Sequence, residues 1–427
     1  MILERIGLCL SAAALFLVPV PSGISQMSQQ LREQDRQWES AHRQRDAKLD
    51  WETAGPARRP SMALPVDTDN DGMPDTWEND HGFNPNDPKD AWFDRDTDLV
   101  VNLFESQLGS DPDNPASPPY VTVAPSGANY STLETALNSV SPGTAIRVAG
   151  GTYTVSYSTF NEKVVMVQGG WNAQFNRRDL GAYPTILDGQ RQDEILYFSQ
   201  RSGRPVIILD GLHFIRGAGN FGAVNLLAAD TAFLRASIFN CSFSDSTSSS
   251  YGAALSMHGW NASEADRTIA NTLIAGNLAS GIYSQNTGGA QARWRIINST
   301  ISGNVNGGGD NGYGIESFTL DTGVLDVAVF NSVIRGNAQE DVSIRRSITV
   351  SADYSDMGTI AAQYGANYQA GPNVINVDPG FLGGGNYRLR ENSPCRDTAL
   401  NQRAPLCDLD GQSRPYPAGG SAAARSA

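Results

Sequence analysis

Short apolar segments recur along residues 210–355, and each recurrence carries the same polar phrase. The phrase reads DGLHFIRG from Asp210, NCSFSDS from Asn240, NTLIAGN from Asn271, NSTISGN from Asn298 and NSVIRGN from Asn331. The first residues of successive copies lie 30, 31, 27 and 33 positions apart. A repeat of this length indicates a solenoid, in which each copy adds one turn to a continuous core.

Two further segments keep the same step. One begins at a glycine, in GAVNL, GAALS, GIYSQ and GIESF, and the other precedes the polar phrase, in RASIF, DRTIA, RWRII and LDVAV. Alternating apolar positions parted by Gly, Asn, Asp and Ser predict strands. Leucine-rich and helical repeats need other patterns. Three short strands per turn predict an all-β fold, a parallel β-helix.

Stacking of the turns explains the polar phrase. Equivalent residues of neighbouring turns lie roughly 4.8 Å apart, so inward apolar residues should form one column: Phe214, Phe243, Ile274, Ile301 and Ile334. The Asn residues should sit at a bend, where they tolerate a left-handed backbone and can form a ladder of amides. We therefore interpret these Asn residues as structural.

A helix is predicted just before the repeats. Ser131 and Glu134 have the spacing of a capping box. The residues after Ser131 place one apolar face at helical spacing, namely Leu133, Ala136, Leu137 and Val140. Such a helix can plug the first turn of the solenoid and cover its open core.

The N-terminal residues predict export. The apolar run Ile6–Val20 follows Arg5 and is broken by Pro21. It is short for a membrane span, so we interpret 1–25 as a signal peptide and expect no membrane span in the mature chain. The chain should then be secreted, to an extracellular or periplasmic location. Residues 26–62 read as a polar helix and linker.

Negative charge is concentrated in residues 63–118, which we call the acidic module. The module holds fourteen Asp and Glu against two Lys and Arg, in a chain whose net charge is −14. Residues 119–415 form the predicted β-helix domain, and 416–427 a flexible tail. Nucleic-acid binding needs a basic face, so we expect no nucleic-acid partner, and we expect a monomer.

The acidic module begins with a 12-residue loop, DTDNDGMPDTWE. Oxygen ligands stand at positions 1, 3, 5, 9 and 12, with Gly72 at position 6: Asp67, Asp69, Asp71, Asp75 and Glu78. This spacing matches the EF-hand loop, which curls to give Ca²⁺ six to eight oxygens. The alternative is a solvated acidic linker. The motif predicts calcium as a cofactor.

A second copy follows in the same module. Its ligands at the same positions are Asp94, Asp96, Asp98, Asn102 and Glu105. Leu99 stands where Gly is expected, and this departure should strain the turn. The sequence alone therefore does not decide whether calcium occupies the second loop.

The acidic module resembles the calcium-binding thrombospondin type 3-like modules of bacterial secreted proteins. The resemblance rests on the two Asp-rich loops, each followed by a G-x-[DN]-P pattern, in GFNPNDP and GSDPDNP. It implies a stiff spacer ordered by calcium, with Asp111 or Asp113 as additional ligands.

The larger part of the chain resembles the pectate-lyase-like superfamily of right-handed parallel β-helix proteins. The resemblance covers about residues 120–415 and rests on the opening segment, on VQGGWNAQFNRRDLGAYPTILDG, on the repeats and on the closing DPGFLGGGNYRLRENSPCRDTA. It is specific for the fold and does not specify an activity, because that superfamily includes lyases, hydrolases and non-enzymatic surface proteins.

Cysteines suggest one crosslink. Cys395 and Cys407 lie in the closing segment, and a disulfide between them would fix the C-terminal end in an oxidising compartment. Cys241 occupies an apolar repeat position, which is typical of a small core residue.

No evident catalytic set stands on one face of the predicted repeats. Lyase chemistry of that superfamily needs Arg or Lys beside calcium-holding carboxylates, and hydrolysis needs paired carboxylic acids. The weak candidates are Glu316, Asp310 and His258, and each also has a structural interpretation. Aromatic and amide residues could instead stack on sugars and bind their hydroxyls, with Tyr283, Gln285, Trp260, Trp294 and Phe318 as candidates.

Three functions remain open at this point. We favour a calcium-binding protein whose partner is polysaccharide or a cell-surface glycan. A polysaccharide lyase or glycoside hydrolase is the second hypothesis, and a structural or adhesive surface rod is the third. A lyase or hydrolase should show clustered Asp or Arg on one face, and a binding protein an aromatic surface.

Overall fold

Strands occupy much of the chain between residues 120 and 370 and wind into three parallel sheets. The computed structural model describes residues 65–155, 158–248, 252, 254–307 and 312–414. Each complete turn contributes one strand to each sheet, and successive turns pair in parallel register. The predicted right-handed parallel β-helix is therefore confirmed.

The three sheets are named here in the order in which a turn visits them. Sheet 1 contains Tyr120–Val123, Thr144–Ala149, Val164–Trp171, Val206–Asp210, Phe233–Phe239, Glu264–Ala270, Gln291–Ile297, Val324–Phe330, Ile348–Asp353 and Asn367–Ala370. Sheet 2 contains Gly151–Thr154, Thr185–Asp188, Leu212–Ile215, Ser242–Ser244, Leu273–Ala275, Thr300–Ser302, Val333–Ile334 and Asp356–Met357. Sheet 3 contains Thr159–Asn161, Leu196–Gln200, Val224–Ala228, Leu255–Gly259, Ile282–Asn286, Ile315–Thr319, Val342–Arg345 and Ile360–Gln363.

The remaining elements flank the sheets. The α-helices are Asp75–His81, Asn102–Leu108 and Leu133–Ser139, the 3₁₀ helices are Asp90–Trp92 and Asn401–Arg403, and Phe381–Gly383 pairs antiparallel with Asn386–Leu389. Leu133, Ala136 and Leu137 bury the predicted apolar face of their helix in the core of the solenoid. The cap is Thr132, whose side chain accepts from the Thr135 N–H, so the predicted cap at Ser131 is wrong by one residue.

The predicted inward column is confirmed. Pairing places Phe214 against Phe243, Phe243 against Ile274, and the column continues through Ile301 to Ile334. All five side chains are fully buried, and the rings of Phe214 and Phe243 stack with centroids 4.7 Å apart. Like residues above one another give each turn the same cross-section.

The Asn residues occupy left-handed bends between sheets 1 and 2, with φ near 50° at Asn240, Asn271, Asn298 and Asn331. In the first copy this bend belongs to Gly211, with φ of 71°, because Asp210 is the last residue of its strand and pairs with Phe239. The repeat alignment was therefore one residue early there. Side-chain amides bridge successive bends, with Asn271 donating to Asn240 at 2.6 Å.

A second amide ladder runs through the last Asn of the polar phrase. Asn277 donates to Asn304 at 2.9 Å, Asn304 donates to Asn337 at 2.9 Å, and Asn337 donates to Asp341 at 2.8 Å. These amides satisfy one another where the turn leaves sheet 2. The last Asn of the phrase is thus as structural as the first.

Several predictions fall outside the described residues. They are the signal peptide at 1–25, the helix and linker at 26–62, the tail at 416–427 and Asp310. In the part of the chain that is described, no helix combines the length and apolar character that a membrane crossing needs.

Candidate functional site

The two acidic loops fold alike. In the first loop Asn70 and Gly72 have φ of 63° and 109°, and in the second Thr97 and Leu99 have φ of 69° and 74°. Positions 4 and 6 of both loops are therefore left-handed. Leu99 adopts the conformation expected of Gly, as the sequence predicted, and keeps its side chain 44% exposed.

The same hydrogen bonds close both loops. The carboxylate at position 1 accepts from the N–H groups at positions 5 and 6, from Asp71 and Gly72 to Asp67 in the first loop. In the second loop Asp98 and Leu99 donate to Asp94. Leu99 thus distorts its loop little, and its backbone strain is borne locally.

Three groups of carboxylates bring ligand oxygens within 4.8 Å of one another. The groups are Asp67, Asp69 and Asp71; Asp71, Glu78 and Asp90; and Asp94, Asp96 and Asp98. The first two share Asp71, so they form one centre, which we call the first centre. The third, with Glu105 following at position 12 of its loop, is the second centre.

Asp90 is a member of the first centre that the sequence analysis missed. It begins the 3₁₀ helix Asp90–Trp92, outside the 12-residue loop, and is 8% exposed. One of its oxygens accepts from the Asn84 N–H at 3.0 Å. The sequence does offer one signal for Asp90. Asp90 follows Gly82 by eight residues, and Ser117 follows the equivalent Gly109 of the second copy by the same number. There the Ser117 hydroxyl accepts from the Asp111 N–H at 3.2 Å.

Asp75 lies apart from the grouped carboxylates. Its two oxygens accept from the N–H and hydroxyl of Thr68, at 2.7 and 2.6 Å. The residue at position 9 of the first loop therefore fastens the start of the loop. The predicted additional ligands are also displaced, since Asp111 and Asp113 are exposed and Asp113 forms an ion pair with Arg95 at 2.9 Å.

Many carboxylate oxygens of the two centres are buried and have no hydrogen-bond partner. In the first centre they are Asp69 Oδ2, Asp71 Oδ2, Glu78 Oε1, Glu78 Oε2 and Asp90 Oδ1. In the second they are Asp96 Oδ2 and Glu105 Oε2, with Asn102 Oδ1 nearby in sequence. Buried carboxylates without donors are very unfavourable. A partner that neutralises their negative charge would remove this penalty.

Burial and mutual repulsion both raise the pKa values of several carboxylates in the two centres. Burial, followed by the neighbouring negative charges, raises the pKa of Asp71 to about 9 and that of Glu78 to about 8. The same causes raise the pKa of Glu105 to about 8. Without a cation the charged forms are disfavoured. The residues present therefore fit a cation that binds oxygen ligands.

The acidic module packs on the outward face of sheet 1 through an apolar contact. Trp92 stacks on Phe239 with ring centroids 5.5 Å apart, and Phe104 meets the same ring edge-on at 5.5 Å. The remaining members of this cluster are Met73, Ala91, Val100 and Leu103 from the module and Ala145, Met166, Val206, Ile208, Ala270 and Ile297 from sheet 1. The module is thus a packed part of the domain and does not extend from it as a spacer.

Polar contacts from sheet 1 reach the two acidic loops themselves. Gln168 Nε2 donates to the Leu99 carbonyl at 2.7 Å, and Arg147 donates to the Asp98 carbonyl at 3.3 Å. Arg295 donates to Asn70 at 3.0 Å and forms an ion pair with Asp67. Both loops therefore depend on the solenoid for their position.

The predicted sugar-binding residues, except Trp294, lie on or beside the outward face of sheet 3. Strand pairing forms one outward row of Tyr197, Asn225, Ser256, Tyr283, Glu316 and Ser343, and a second of Ser199, Leu227, His258, Gln285, Phe318 and Arg345. We call these two rows the third-sheet face. Trp260 follows directly after the strand Leu255–Gly259.

Trp294 does not belong to this face. It is fully buried among the core residues inside the solenoid, on a strand of sheet 1. Its apolar neighbours Ala292 and Ile296 alternate with the outward Arg293 and Arg295. The prediction that Trp294 stacks on a sugar is therefore wrong.

The aromatic residues of the third-sheet face form one cluster. His258 lies 5.7 Å from Tyr283 and 6.3 Å from Trp260, and Tyr283 lies 5.8 Å from Phe318, all between ring centroids. Tyr283 is 2% exposed, whereas Trp260 and Phe318 are partly exposed. Only the margins of the cluster are open to a ligand.

Two weak catalytic candidates also lie here. Glu316 pairs with Arg345 at 3.6 Å and accepts from Ser280 at 3.2 Å, and burial raises its pKa. Both ring nitrogens of His258 lack hydrogen-bond partners, and burial, with help from Arg267, lowers its pKa to about 3. His258 is thus a neutral imidazole at physiological pH.

Two open clefts lie elsewhere on the described surface. One, of about 550 Å³, is lined by Trp171, Asn172, Gln174 and Tyr183 among others. The other, of about 570 Å³, lies between sheet 2 and the C-terminal hairpin and includes His213, Ser242 and Tyr387. Sequence reasoning singled out neither cleft.

The predicted disulfide is absent, since Cys395 and Cys407 are both free. The buried Cys395 thiol lies 3.6 Å from Asp356 Oδ2. Cys407 is exposed, and its backbone forms an isolated antiparallel β-bridge with Ser413. Cys241 is fully buried in the core, as predicted. Asn331 instead helps to hold the closing segment, through hydrogen bonds with the backbone of Leu400.

Comparisons with known proteins add little to what the structure itself shows. No family model matches the chain, and no curated protein matches it. A solved structure, described as "Crystal structure of pectate lyase Pel9A", matches with 15% sequence identity and a TM-score of 0.32, over 69% of this chain and 96% of that one. A match at this level carries no information on activity.

Proposed function

We propose that this chain is an exported calcium-binding β-helix protein whose partner is polysaccharide or a cell-surface glycan. The observation that carries the calcium part is the set of buried carboxylate oxygens without hydrogen-bond partners in the acidic module. The chemistry of the donors favours calcium, because carboxylates, an amide and carbonyl oxygens are the ligands of a hard cation. The grouped side chains include no His or Cys, which zinc and copper prefer.

Each centre has its own ligand set in this proposal. Asp69, Asp71, Glu78 and Asp90 would hold the ion of the first centre, with Asp67 closing the loop beside it. Asp94, Asp96, Asp98, Asn102 and Glu105 would hold the ion of the second centre. The first centre should bind more tightly, because its unpartnered oxygens are more numerous.

Calcium would supply positive charge that neutralises the buried carboxylates. With the loops ordered, the module can keep Trp92 and Phe104 on Phe239, and the loops can keep their hydrogen bonds to Gln168 and Arg147. The proposed role of the ion is therefore to hold the module on sheet 1.

Glycan binding is proposed for the open margin of the third-sheet face. Aromatic rings can stack on the apolar side of a sugar, and polar groups beside them can bind its hydroxyls. Trp260 and Phe318 supply partly exposed rings, and the partly exposed Arg345, aligned with Phe318, supplies hydrogen-bond donors. This arrangement supports binding more directly than catalysis.

Catalysis remains the alternative, and the third-sheet face is where it would occur. Glu316 has a raised pKa, which suits a general acid, but it is engaged by Arg345 and Ser280. Among the described residues of this face it is the only carboxylate. Paired carboxylates, which hydrolysis ordinarily needs, are therefore missing from it.

The test compares glycan binding by three variants of the full mature chain. Wild type is screened on a glycan array, and affinity for the best ligand is measured by calorimetry in calcium. Trp260→Ala and Phe318→Ala should each weaken binding by about tenfold, the loss expected for one stacked ring. Tyr183→Ala, in the cleft beside sheet 2, is the matched aromatic control and should bind as wild type does.

Two results would contradict the proposal. The first is equal affinity of Trp260→Ala, Phe318→Ala and wild type, together with weaker binding by Tyr183→Ala. This result would place the glycan site in the cleft that contains Tyr183. An increase in ultraviolet absorbance on incubation with polyuronates would indicate unsaturated products, and the chain would then be a lyase.

A further inference from the structure

Arg267 carries its charge on the inward side of sheet 1. It lies in the strand Glu264–Ala270, where its alternate neighbours Ala265 and Ile269 belong to the core. Its partners in the adjacent strands are Ala236 and Trp294, which are core residues too. The side chain is therefore inside the solenoid, and Arg267 is 1% exposed.

The guanidinium of Arg267 reaches sheet 3 but is only partly satisfied there. Nη2 donates to the His258 carbonyl at 2.9 Å and lies 3.5 Å from the Leu226 carbonyl. Nε and Nη1 have no hydrogen-bond partner. An unsatisfied cation in a protein interior is strongly unfavourable.

No carboxylate pairs with Arg267 among the described residues. Arg295 differs from Arg267 in this respect. It lies in the next strand of sheet 1 and on the outward face. It is equally buried but forms ion pairs with both Asp67 and Asp266. Burial lowers the pKa of Arg267 to about 9, so the guanidinium still carries its charge at neutral pH.

Other unpartnered donors line the same part of the interior. Trp294, beside Arg267 in the next strand, has a buried Nε1–H without a partner. On sheet 3, Ser284 and Ser317 continue the inward column of Leu226 and Met257, and neither hydroxyl has a partner.

The inward side chains of sheet 3 are smaller at these two turns than in the turns before and after them. The residues before and after the serines are Phe198, Leu226, Met257 and Ile344, all larger and all in the core. In the turn of Ser317 the residue contributed by sheet 1 is Val327, which is small as well. The side chains that follow Trp294 and Met257 in these two columns are therefore short.

We propose that this interior position holds a small monovalent anion, chloride in ordinary buffers, between Arg267 and Trp294 on one side and Ser284 and Ser317 on the other. Guanidinium and indole groups only donate hydrogen bonds, so their missing partner must be an acceptor. An anion also neutralises the charge of Arg267. The inference does not depend on calcium or glycan binding.

Enclosure predicts how the anion enters. The surrounding side chains are at most 3% exposed, so exchange in the folded protein should be slow and the ion should bind during folding. Sulfate and larger carboxylates do not match a space between two small side chains. Chloride, bromide and iodide remain as occupants.

The direct test refolds the full mature chain in bromide in place of chloride and collects crystal diffraction at the bromine absorption edge. We expect an anomalous peak inside the solenoid in contact with Arg267 and Trp294. An absence of anomalous signal at that position, with water density in its place, would overturn the proposal. Asn286 Oδ1, a buried acceptor without a partner, could serve such a water.

A solution measurement gives a second reading. Wild type refolded in chloride should melt about 3 °C or more above wild type refolded in gluconate at equal ionic strength, because only the folded state binds the ion. Arg267→Met should lose this dependence, whereas Arg235→Met, on the outward face of sheet 1, should keep it. Equal melting of wild type in both salts would contradict the proposal even if Arg267→Met fails to fold.

Discussion

Arg295 and Asp67 form an ion pair in which both side chains are almost completely buried, 1% and 2% exposed, although 228 positions separate them. Arg295 projects outward from sheet 1, and Asp67 opens the first acidic loop. The pair joins the first centre to the solenoid. We therefore expect the proposed ion binding at the first centre and the docking of the module to be linked.

The first prediction concerns that ion pair. Arg295→Met leaves Asp67 with only the longer contact to Arg293, at 3.9 Å, and removes one of two arginines from Asp266. In a chelator the variant should lose about 3–5 kcal/mol of unfolding free energy, the penalty for breaking a buried ion pair from one side. In calcium the loss should be smaller, because the ion beside Asp67 takes over part of the compensation. Denaturant unfolding with and without calcium measures both values.

The control for Arg295 is an exposed pair of the same kind. Arg177 and Asp179 lie at 3.0 Å with side chains 64% and 36% exposed. Arg177→Met should change stability by less than about 1 kcal/mol in either condition. If Arg295→Met behaved like Arg177→Met, the proposed link between docking and metal binding would be wrong.

The second prediction separates the two centres. Glu78→Gln removes charge from the first centre, and Glu105→Gln does the same in the second. Each variant should bind one calcium ion fewer than wild type, and Glu78→Gln should lose the tighter of the two sites. Asp113→Asn, an exposed acidic residue paired with Arg95, should retain both ions. Calorimetric stoichiometry decides between these outcomes.

The third prediction concerns the left-handed residue of the second loop. Leu99→Gly should stabilise the protein by about 1 kcal/mol, because glycine relieves the strain at φ 74° and the exposed side chain buries little. The matched change in the first loop is Gly72→Ala. It should destabilise, since a Cβ there would lie 2.8 Å from Leu103 Cδ1. Opposite signs in denaturant unfolding are expected, and a loss of stability in Leu99→Gly would contradict this interpretation.

Much of the fold follows from local pattern. The inward column from Phe214 to Ile334 could be predicted because strand periodicity and the repeat length together specify which residues stack. The bends at Asn240 and its equivalents followed from the backbone preference of Asn. Only the first copy was misaligned, because Gly211 replaces Asn at the bend.

The two acidic loops were predictable for the same reason, since all of their motif positions lie within twelve residues. Asp90 was not, because it reaches the first centre through the chain reversal after Gly82 and not through the loop. Asp75 is predicted as a ligand from its place in the loop, but Thr68 donates to both of its oxygens. Spacing identifies ligand positions but does not reveal competing donors.

Packing between distant segments escaped prediction altogether. Docking of the acidic module on sheet 1 depends on apolar outward residues such as Met166 and Phe239, which in sequence look like ordinary strand residues. The position of Trp294 was misjudged because an aromatic residue suits a ligand face and a core equally well. Alternation along its strand, between outward Arg293 and Arg295, is the feature that decides it.

The most direct test of calcium binding is a calorimetric titration of the metal-free mature chain with calcium, followed by thermal melting with and without the ion. We predict two bound ions per chain, a clear rise in melting temperature, and loss of one ion in Glu78→Gln. A chain that binds no calcium and melts at the same temperature in calcium and in chelator would contradict the central claim.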